Sequence, residues 1–286
     1  MTKFCFFLLS FLIIPFAELS AQEFNPDFFV FEDGLWNAQS KNGDYWADLI
    51  HDAGFDGMEL IGLERVDELM PELKKRELKL FTLYIEVDLD SKNPYDAQLK
   101  DYISKWKGEV PYLWLHVHSK KHLPSDPAGD ERCIQIVREL ADFAKPSGLK
   151  LAFYPHADFW IEKVTDGIRL AEKINRENVG TVFNLCHYLK KDDPAKIEKR
   201  LEQAIPHLFL VSINGADDGD TNNMDWDRLI QPLGQGSFDV FHVLELLKEK
   251  GYRNPIGLQC YNIQGQPEKF LKYSVKTWKK YIRQIN

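Results

Sequence analysis

Residues 149–187 read LKLAFYPHADFWIEKVTDGIRLAEKINRENVGTVFNLCH, and this stretch decides the fold. Its apolar and aromatic run at 150–155 predicts a buried strand. Residues 164–174 then place apolar side chains at helical spacing, and a second apolar run follows at 179–185. A strand, a helix and a second strand in this order predict one parallel βαβ unit.

The same alternation continues in both directions until it has occurred eight times. An open doubly wound sheet is the alternative architecture, but the first strand is not followed by a G-x-G-x-x-G turn. Eight units in one chain of this length predict an α/β protein with a single (β/α)8 barrel. Helices are expected at 67–76, with Pro71 in the first turn, and at 95–106. The expected strands are 28–31, 57–61, 78–87, 112–118, 150–155, 179–185, 208–213 and 256–260.

The N-terminus has the pattern of a secretory signal peptide. Lys3 precedes an almost wholly apolar run at 4–16, and Leu19-Ser20-Ala21 supplies a small residue at the cleavage point. The apolar run is shorter than the roughly 20 residues that a membrane span needs. We expect a signal peptide at 1–21, cleavage after Ala21, and a barrel domain at 22–286 that is periplasmic or secreted and not held in a membrane.

Charge and cysteine content narrow the function further. The formal net charge of −8 argues against nucleic acid as a partner, because such binding depends on Lys and Arg neutralising phosphates. Beyond the predicted signal peptide the chain has three cysteines, which are too few for a disulfide framework. We expect Cys133, Cys186 and Cys260 to be buried free thiols.

The carboxyl ends of the predicted strands are unusually rich in polar and aromatic residues. In a (β/α)8 barrel this end carries the active site. His116, His118, His156 and His187 all lie there. Burying so many polar groups without partners is costly, so a ligand-binding mouth explains them better than a closed core.

Four motifs connect the chain to a known family. They are AGFDGMEL at 53–60, LAFYPH at 151–156, FNLCH at 183–187 and PLGQGSFD at 232–239. In this order and spacing the chain resembles the xylose isomerase-like TIM barrels, which include sugar phosphate isomerases and epimerases and endonuclease IV. The resemblance implies a carbohydrate as the small-molecule ligand.

The resemblance also implies a divalent metal, held by Glu, Asp, His and Glu at the ends of the fifth to eighth strands. None of these four ligands is retained, and the residues at the matching positions are Tyr154, Asn184, Ser212 and Gln259. Neutral amide and hydroxyl oxygens hold a divalent cation poorly without a charged partner. We therefore expect the usual metal to be absent and leave the cofactor undefined. A relocated transition-metal site formed by His116, His118 and His156 is an alternative.

The resemblance implies a sugar isomerase or epimerase-like enzyme that transfers a proton next to a carbonyl group, and the predicted signal peptide makes it an exported one. A lyase or hydratase acting on keto-sugars and a non-catalytic carbohydrate-binding barrel are the alternatives. The expected catalytic residues are Glu59, Glu86, His118, His156 and His187. The expected substrate contacts are Tyr154, Asn184, Ser212, Asn214, Gln259, Tyr261 and Trp114.

Overall fold

The computed structural model describes residues 23–286, whose eight parallel strands close into a barrel in sequence order. The last strand pairs with the first, so the (β/α)8 prediction is confirmed. The predicted strands at 150–155, 179–185 and 256–260 each end one or two residues earlier than expected. The strands are β1 (Phe28–Val30), β2 (Gly57–Ile61), β3 (Lys79–Asp88), β4 (Tyr112–His118), β5 (Lys150–Phe153), β6 (Val179–Asn184), β7 (Leu208–Ile213) and β8 (Ile256–Leu258).

Helices cover the outside of the barrel. Each lies between two strands or after β8, as a βα repeat requires. They are α1 (Gly43–Ala53), α2 (Val66–Lys75), α3 (Leu99–Lys105), α4 (Asp130–Ala144), α5 (Val164–Ile174), α6 (Leu185–Lys191), α7 (Ile197–Ala204), α8 (Trp226–Leu229), α9 (Val240–Glu249) and α10 (Pro267–Ile285).

Two helix expectations are wrong in detail. Pro71 is the sixth residue of α2, so it lies in the second turn and not in the first. The helix expected at 95–106 begins only at Leu99. The Asp96 side chain accepts a hydrogen bond from the Gln98 backbone N–H at 2.7 Å, and this local turn keeps the preceding residues out of the helix.

Helix α1 ends at Gly54. Gly54 adopts the left-handed conformation, with φ of 89°, and its N–H reaches the carbonyls of Ile50 and His51. Glycine takes this conformation without the steric cost that a side chain would add. The chain therefore leaves α1 abruptly and enters β2 within three residues.

The apolar core has two parts, because each strand points alternate side chains to opposite faces of the sheet. One part lies between the sheet and the helices and contains Trp46 and Trp278. The other fills the barrel interior and is strongly aromatic. Its buried members are Phe29, Phe31, Phe81, Tyr112, Trp114, Ala152, Tyr154, Val182 and Leu210.

Helix α5 is held by a buried carboxylate at its first turn. Asp166 accepts hydrogen bonds from the Ser125 hydroxyl at 2.6 Å and from the Lys163 N–H at 2.9 Å. Arg169 donates to its other oxygen at 2.6 Å and also pairs with the buried Asp130 of α4. This network ties α4, α5 and the loop after β4 into one unit.

The predicted signal peptide lies outside the described residues. Within residues 23–286, no helix has the length and apolar character that crossing a bilayer would require. The predicted state of the cysteines is confirmed, since Cys133, Cys186 and Cys260 are all buried and free.

Candidate active site

A cavity of about 490 Å³ opens at the carboxyl ends of the strands, where a (β/α)8 barrel carries its site. Its wall is rich in aromatic rings and also contains carboxyl and imidazole groups. Both features suit a small polar ligand with apolar faces. The cavity is lined by Phe31, Asp33, Trp36, Glu59, Ile61, Tyr84, His116, Tyr154, His156, Ala157, Asp158, Phe159, His187, Trp226, Ile230, Gln259 and Tyr261.

Carboxyl groups form the side of the cavity next to β1 and β2. Glu59, which is only 2% exposed, accepts the Glu32 N–H at 2.9 Å. Glu32 in turn accepts the Ile61 N–H at 2.7 Å, so the two chain segments hold each other in place. Burial raises the pKa of Glu59 well above its ordinary value, and the neighbouring carboxyls of Asp33 and Glu32 raise it further.

Asp33 contributes a further carboxyl group to the cavity wall. It lies in the turn that follows β1 and lines the cavity. Its Oδ1 is buried and meets no hydrogen-bond partner within residues 23–286. Burial raises the pKa of Asp33 to about 8, so the group exchanges its proton near neutral pH.

Two imidazoles form the opposite side: His156 lies after β5, and His187 lies in α6. The His156 Nδ1 lies 2.8 Å from the Ala157 carbonyl oxygen, which requires a proton on Nδ1 and leaves Nε2 as an acceptor. His187 Nδ1 instead accepts the Ala157 N–H at 3.2 Å, so its Nε2 carries the proton. Burial lowers the pKa of His156 to about 4 and that of His187 well below its ordinary value. Both rings are therefore neutral at pH 7.

A second histidine pair lies beside the first. The His116 Nδ1 and His118 Nε2 are 2.9 Å apart, and His116 stacks on Tyr84 with ring centres 4.0 Å apart. The Phe159 ring packs against His118 and His156, with ring centres 3.8 Å apart in both cases. Burial lowers the pKa of His116 to about 3 and also lowers that of His118, which favours the neutral form of both rings.

Three side chains close the floor of the cavity, and we call them the floor triad: Tyr154, Asn184 and Gln259. The Asn184 amide N–H donates to the Tyr154 hydroxyl oxygen, and the Gln259 amide donates to the same oxygen at 3.3 Å. Trp114 packs on Tyr154 from within the barrel, with ring centres 5.0 Å apart. The floor is thus a neutral hydrogen-bonded layer above an aromatic core.

The floor triad does not fit a divalent metal. The Gln259 Oε1 already accepts two backbone N–H groups, from Cys260 and Tyr261, each at 2.8 Å. The Asn184 Oδ1 accepts the Cys186 thiol at 3.1 Å. Their free amide N–H groups face inward instead, and a donor cannot ligate a cation.

The alternative metal site is not assembled either. His116 and His118 bond to each other, and His156 uses Nδ1 on its own neighbouring backbone. Between residues 23 and 286, no three His, Cys, Asp or Glu side chains are placed to ligate one ion.

The structure brings together at the cavity wall seven of the predicted site residues and leaves the others outside it. Those that line the cavity are Glu59, His116, His156, His187, Tyr154, Gln259 and Tyr261. Asn184 lies just beneath them in the floor triad. His187 lies not on a strand end but in α6, because β6 continues into this helix without a loop.

The remaining predicted residues do not reach the cavity. Glu86 lies near the exposed end of β3, and His118 lies behind His116. Trp114 is fully buried below the floor. Ser212 and Asn214 are fully buried at the end of β7, where the Asn214 amide donates to the carbonyls of Gly215 and Leu229.

Sequence reasoning missed Asp33, Phe159 and Trp226 as cavity residues. Asp33 had a usable signal, since it follows the first predicted strand at the same end of the barrel as Glu59. Phe159 lies in the connection between β5 and α5, and Trp226 begins the short helix α8. The strand pattern defines the course of neither segment.

The chain is similar to several sugar-converting proteins. It is 23% identical to the inosose isomerase of Halalkalibacterium halodurans over 227 residues, which cover 73% of this chain and 79% of that protein. Two solved structures give the same fold. L-ribulose 3-epimerase superposes with a TM-score of 0.73 at 14% identity, covering 91% of this chain and 96% of the other. The 3-keto-D-glucoside 4-epimerase of E. coli gives a TM-score of 0.71 at 15% identity, with 91% and 100% covered.

A family model also matches most of the chain. It describes the xylose isomerase-like TIM barrel, and the match runs over residues 47–281. This range contains β2 to β8 and all the residues of the floor triad. The chain belongs to the xylose isomerase-like TIM barrel family.

Proposed function

We propose that the protein is a sugar isomerase or epimerase-like enzyme that moves a proton on a carbon next to a keto group. One observation carries the proposal. A carboxyl group with a pKa of about 8 and a free oxygen, Asp33, faces neutral imidazoles across one closed-bottomed cavity. The similarity to an inosose isomerase supports the same class of reaction.

The carboxyl side of the cavity suits proton transfer, and the imidazole side suits binding of the substrate oxygens. A general base works best when its pKa lies near the working pH, which favours Asp33, with Glu59 next to it, as the group that takes and returns the proton. His187 offers an N–H and His156 offers a lone pair, so together they can bind a hydroxyl or keto oxygen of a sugar. Strands β1 and β2 lie diametrically opposite β5 and β6, which places the ligand between the walls.

We propose an uncharged sugar as substrate. The cavity wall contains no Lys or Arg within the described chain, and its carboxyl groups would repel a phosphate. Exposed Trp36 and Tyr261 meet edge to face at the mouth, with ring centres 6.4 Å apart. Such rings provide flat apolar surfaces for the C–H faces of a sugar.

The test is proton exchange in deuterium oxide. The purified chain is incubated with inosose, ketohexoses and keto-glucosides, each with and without a phosphate group, and products and deuterium incorporation are followed by NMR. We expect exchange at the carbon next to the keto group of an unphosphorylated compound, with kcat/KM rising as pH approaches 8.

Asp33→Asn should lower kcat by about 10²–10⁴-fold, since it removes the proposed base. Asp56→Asn is the matched control, because that carboxyl accepts the Phe28 N–H at the opposite end of the barrel. Binding of a sugar without exchange or turnover would instead support a non-catalytic carbohydrate-binding protein. Products with a new double bond would support a lyase.

Export is part of the proposal and rests on the N-terminal sequence alone. Expression with the complete N-terminus in a Gram-negative host should release a protein that begins at Gln22. Mass spectrometry of the intact protein from the periplasm or medium measures this directly. A full-length protein retained in the cytoplasm would contradict it.

A further inference from the structure

The floor triad is organised around one oxygen atom. The Asn184 and Gln259 oxygens are engaged by the Cys186 thiol and by two backbone N–H groups, respectively. Both amides must therefore direct their N–H groups at the Tyr154 hydroxyl oxygen. The amide orientations are fixed by these partners, not by Tyr154.

This arrangement determines what the Tyr154 hydroxyl can do. A phenol oxygen has two lone pairs and one proton, and the two amides occupy the lone pairs. No acceptor within residues 23–286 takes the proton. Because Tyr154 also lines the cavity, its O–H is available to a ligand there. Burial raises the pKa of Tyr154 well above its ordinary value, so the proton stays on the hydroxyl.

We propose that the Tyr154 hydroxyl replaces the metal of this family by donating a hydrogen bond to the keto oxygen of the substrate. The inference rests on the proposed function and adds the group that stabilises negative charge on that oxygen. Asn184 and Gln259 are positioning residues, which hold the phenol and strengthen its donor character by polarising it.

The step is balanced without an oxidant or a reductant. The base removes a proton from the carbon next to the keto group, and the electron pair of that C–H bond forms a carbon–carbon double bond. The carbonyl π electrons move to the oxygen, which Tyr154 hydrogen-bonds as an enolate. Return of a proton to carbon or to oxygen then gives the epimer or the isomer.

Tyr154→Phe tests the donor directly. We expect kcat to fall by about 10²–10³-fold with KM changed by less than about threefold, because the bond is strongest in the transition state. Tyr252→Phe is the matched control, since this buried hydroxyl donates to the Pro255 carbonyl before β8, away from the cavity. It should lose stability without losing kcat. Equal kcat values for Tyr154→Phe and the wild type would overturn the inference.

A second measurement does not depend on activity. Zn²⁺, Mn²⁺ and Mg²⁺ are titrated separately into the wild-type protein by calorimetry, after dialysis against EDTA. We expect the wild-type protein to show no metal binding that the Gln259→Leu substitution abolishes. We also expect EDTA to leave turnover unchanged. A metal bound at this position, or activity restored by a metal, would overturn the proposal.

The two proposals fail in different ways. If no compound shows exchange with the wild-type protein, the proposed function fails, while the metal titration still tests the floor triad. If exchange occurs but depends on metal or survives Tyr154→Phe, the proposed function stands and the role of Tyr154 is rejected.

Discussion

Asp33, which follows the short strand β1, is the residue on which the proposed proton transfer depends most. Side chains alternate between the two faces of a strand, and this parity favours an inward position for both Glu59 and Glu86, of which only Glu59 lines the cavity. Parity gave no such indication for Asp33, because β1 has only three residues and the chain turns directly after it. Burial raises the pKa of Asp33, and within residues 23–286 its Oδ1 has no hydrogen-bond partner; both depend on the folded surroundings, which the local sequence does not define.

Asp33→Asn should make the protein more stable at high pH. The folded-state pKa of about 8 exceeds the usual 3.8, so the folded state holds this proton more tightly than the unfolded state. The resulting stabilisation is present below about pH 4 and is lost as pH rises towards 8. The free energy of unfolding of the variant should therefore exceed that of the wild type by about 1–3 kcal/mol at pH 8, and by little at pH 4. Urea unfolding across this range measures the difference, and parallel curves would contradict the prediction.

At the scale of elements, the strands were predicted better than the segments that join them. Alternating apolar runs and helical spacing are local signals, so they can be recognised in the sequence without knowing which strand is the neighbour. The direct passage from β6 into α6 at Asn184 was not predicted, because no glycine or proline marks it. His187 was thus assigned to the correct end of the barrel but to the wrong element.

Helix α5 offers a test of how a buried charge holds an element in place. Asp166→Ala removes the acceptor for Ser125, Lys163 and Arg169, and we expect a loss of about 3–5 kcal/mol of stability, because Arg169 loses a buried partner. Asp142→Ala is the control, since its pair with Arg176 is exposed to water and should contribute little to stability. Denaturant unfolding compares the two. Similar losses in both variants would show that the buried network contributes little.

At the scale of the whole molecule, closure of the barrel was predictable because eight βα units in one chain leave few other topologies. The sequence predicted at which end of the barrel the cavity lies, but not which residues line it. Which polar groups enter it depends on the tilt of the strands and on the loops. Ser212 and Asn214 illustrate this limit, since both occupy the predicted end of β7 and yet are fully buried away from the cavity.

The three buried thiols report on whether the barrel unfolds as one unit. Cys133 lies in α4, Cys186 in α6 and Cys260 after β8, so they sample separate parts of the barrel. A cooperative domain should expose all three in the same denaturant transition. Brief iodoacetamide labelling at increasing urea, read by peptide mass spectrometry, should give three coincident curves. One thiol that reacts well before the others would reveal a separate subdomain.

The aromatic mouth of the cavity also gives the protein an optical reporter of its own. Trp36 is 42% exposed and stands beside Tyr261, whereas Trp46, Trp114 and Trp160 are already buried. A ligand that covers Trp36 removes that indole from water, so its fluorescence emission should shift to the blue. Candidate sugars can therefore be screened by fluorescence titration before any reaction is known, and Trp36→Phe identifies the signal that comes from the cavity mouth.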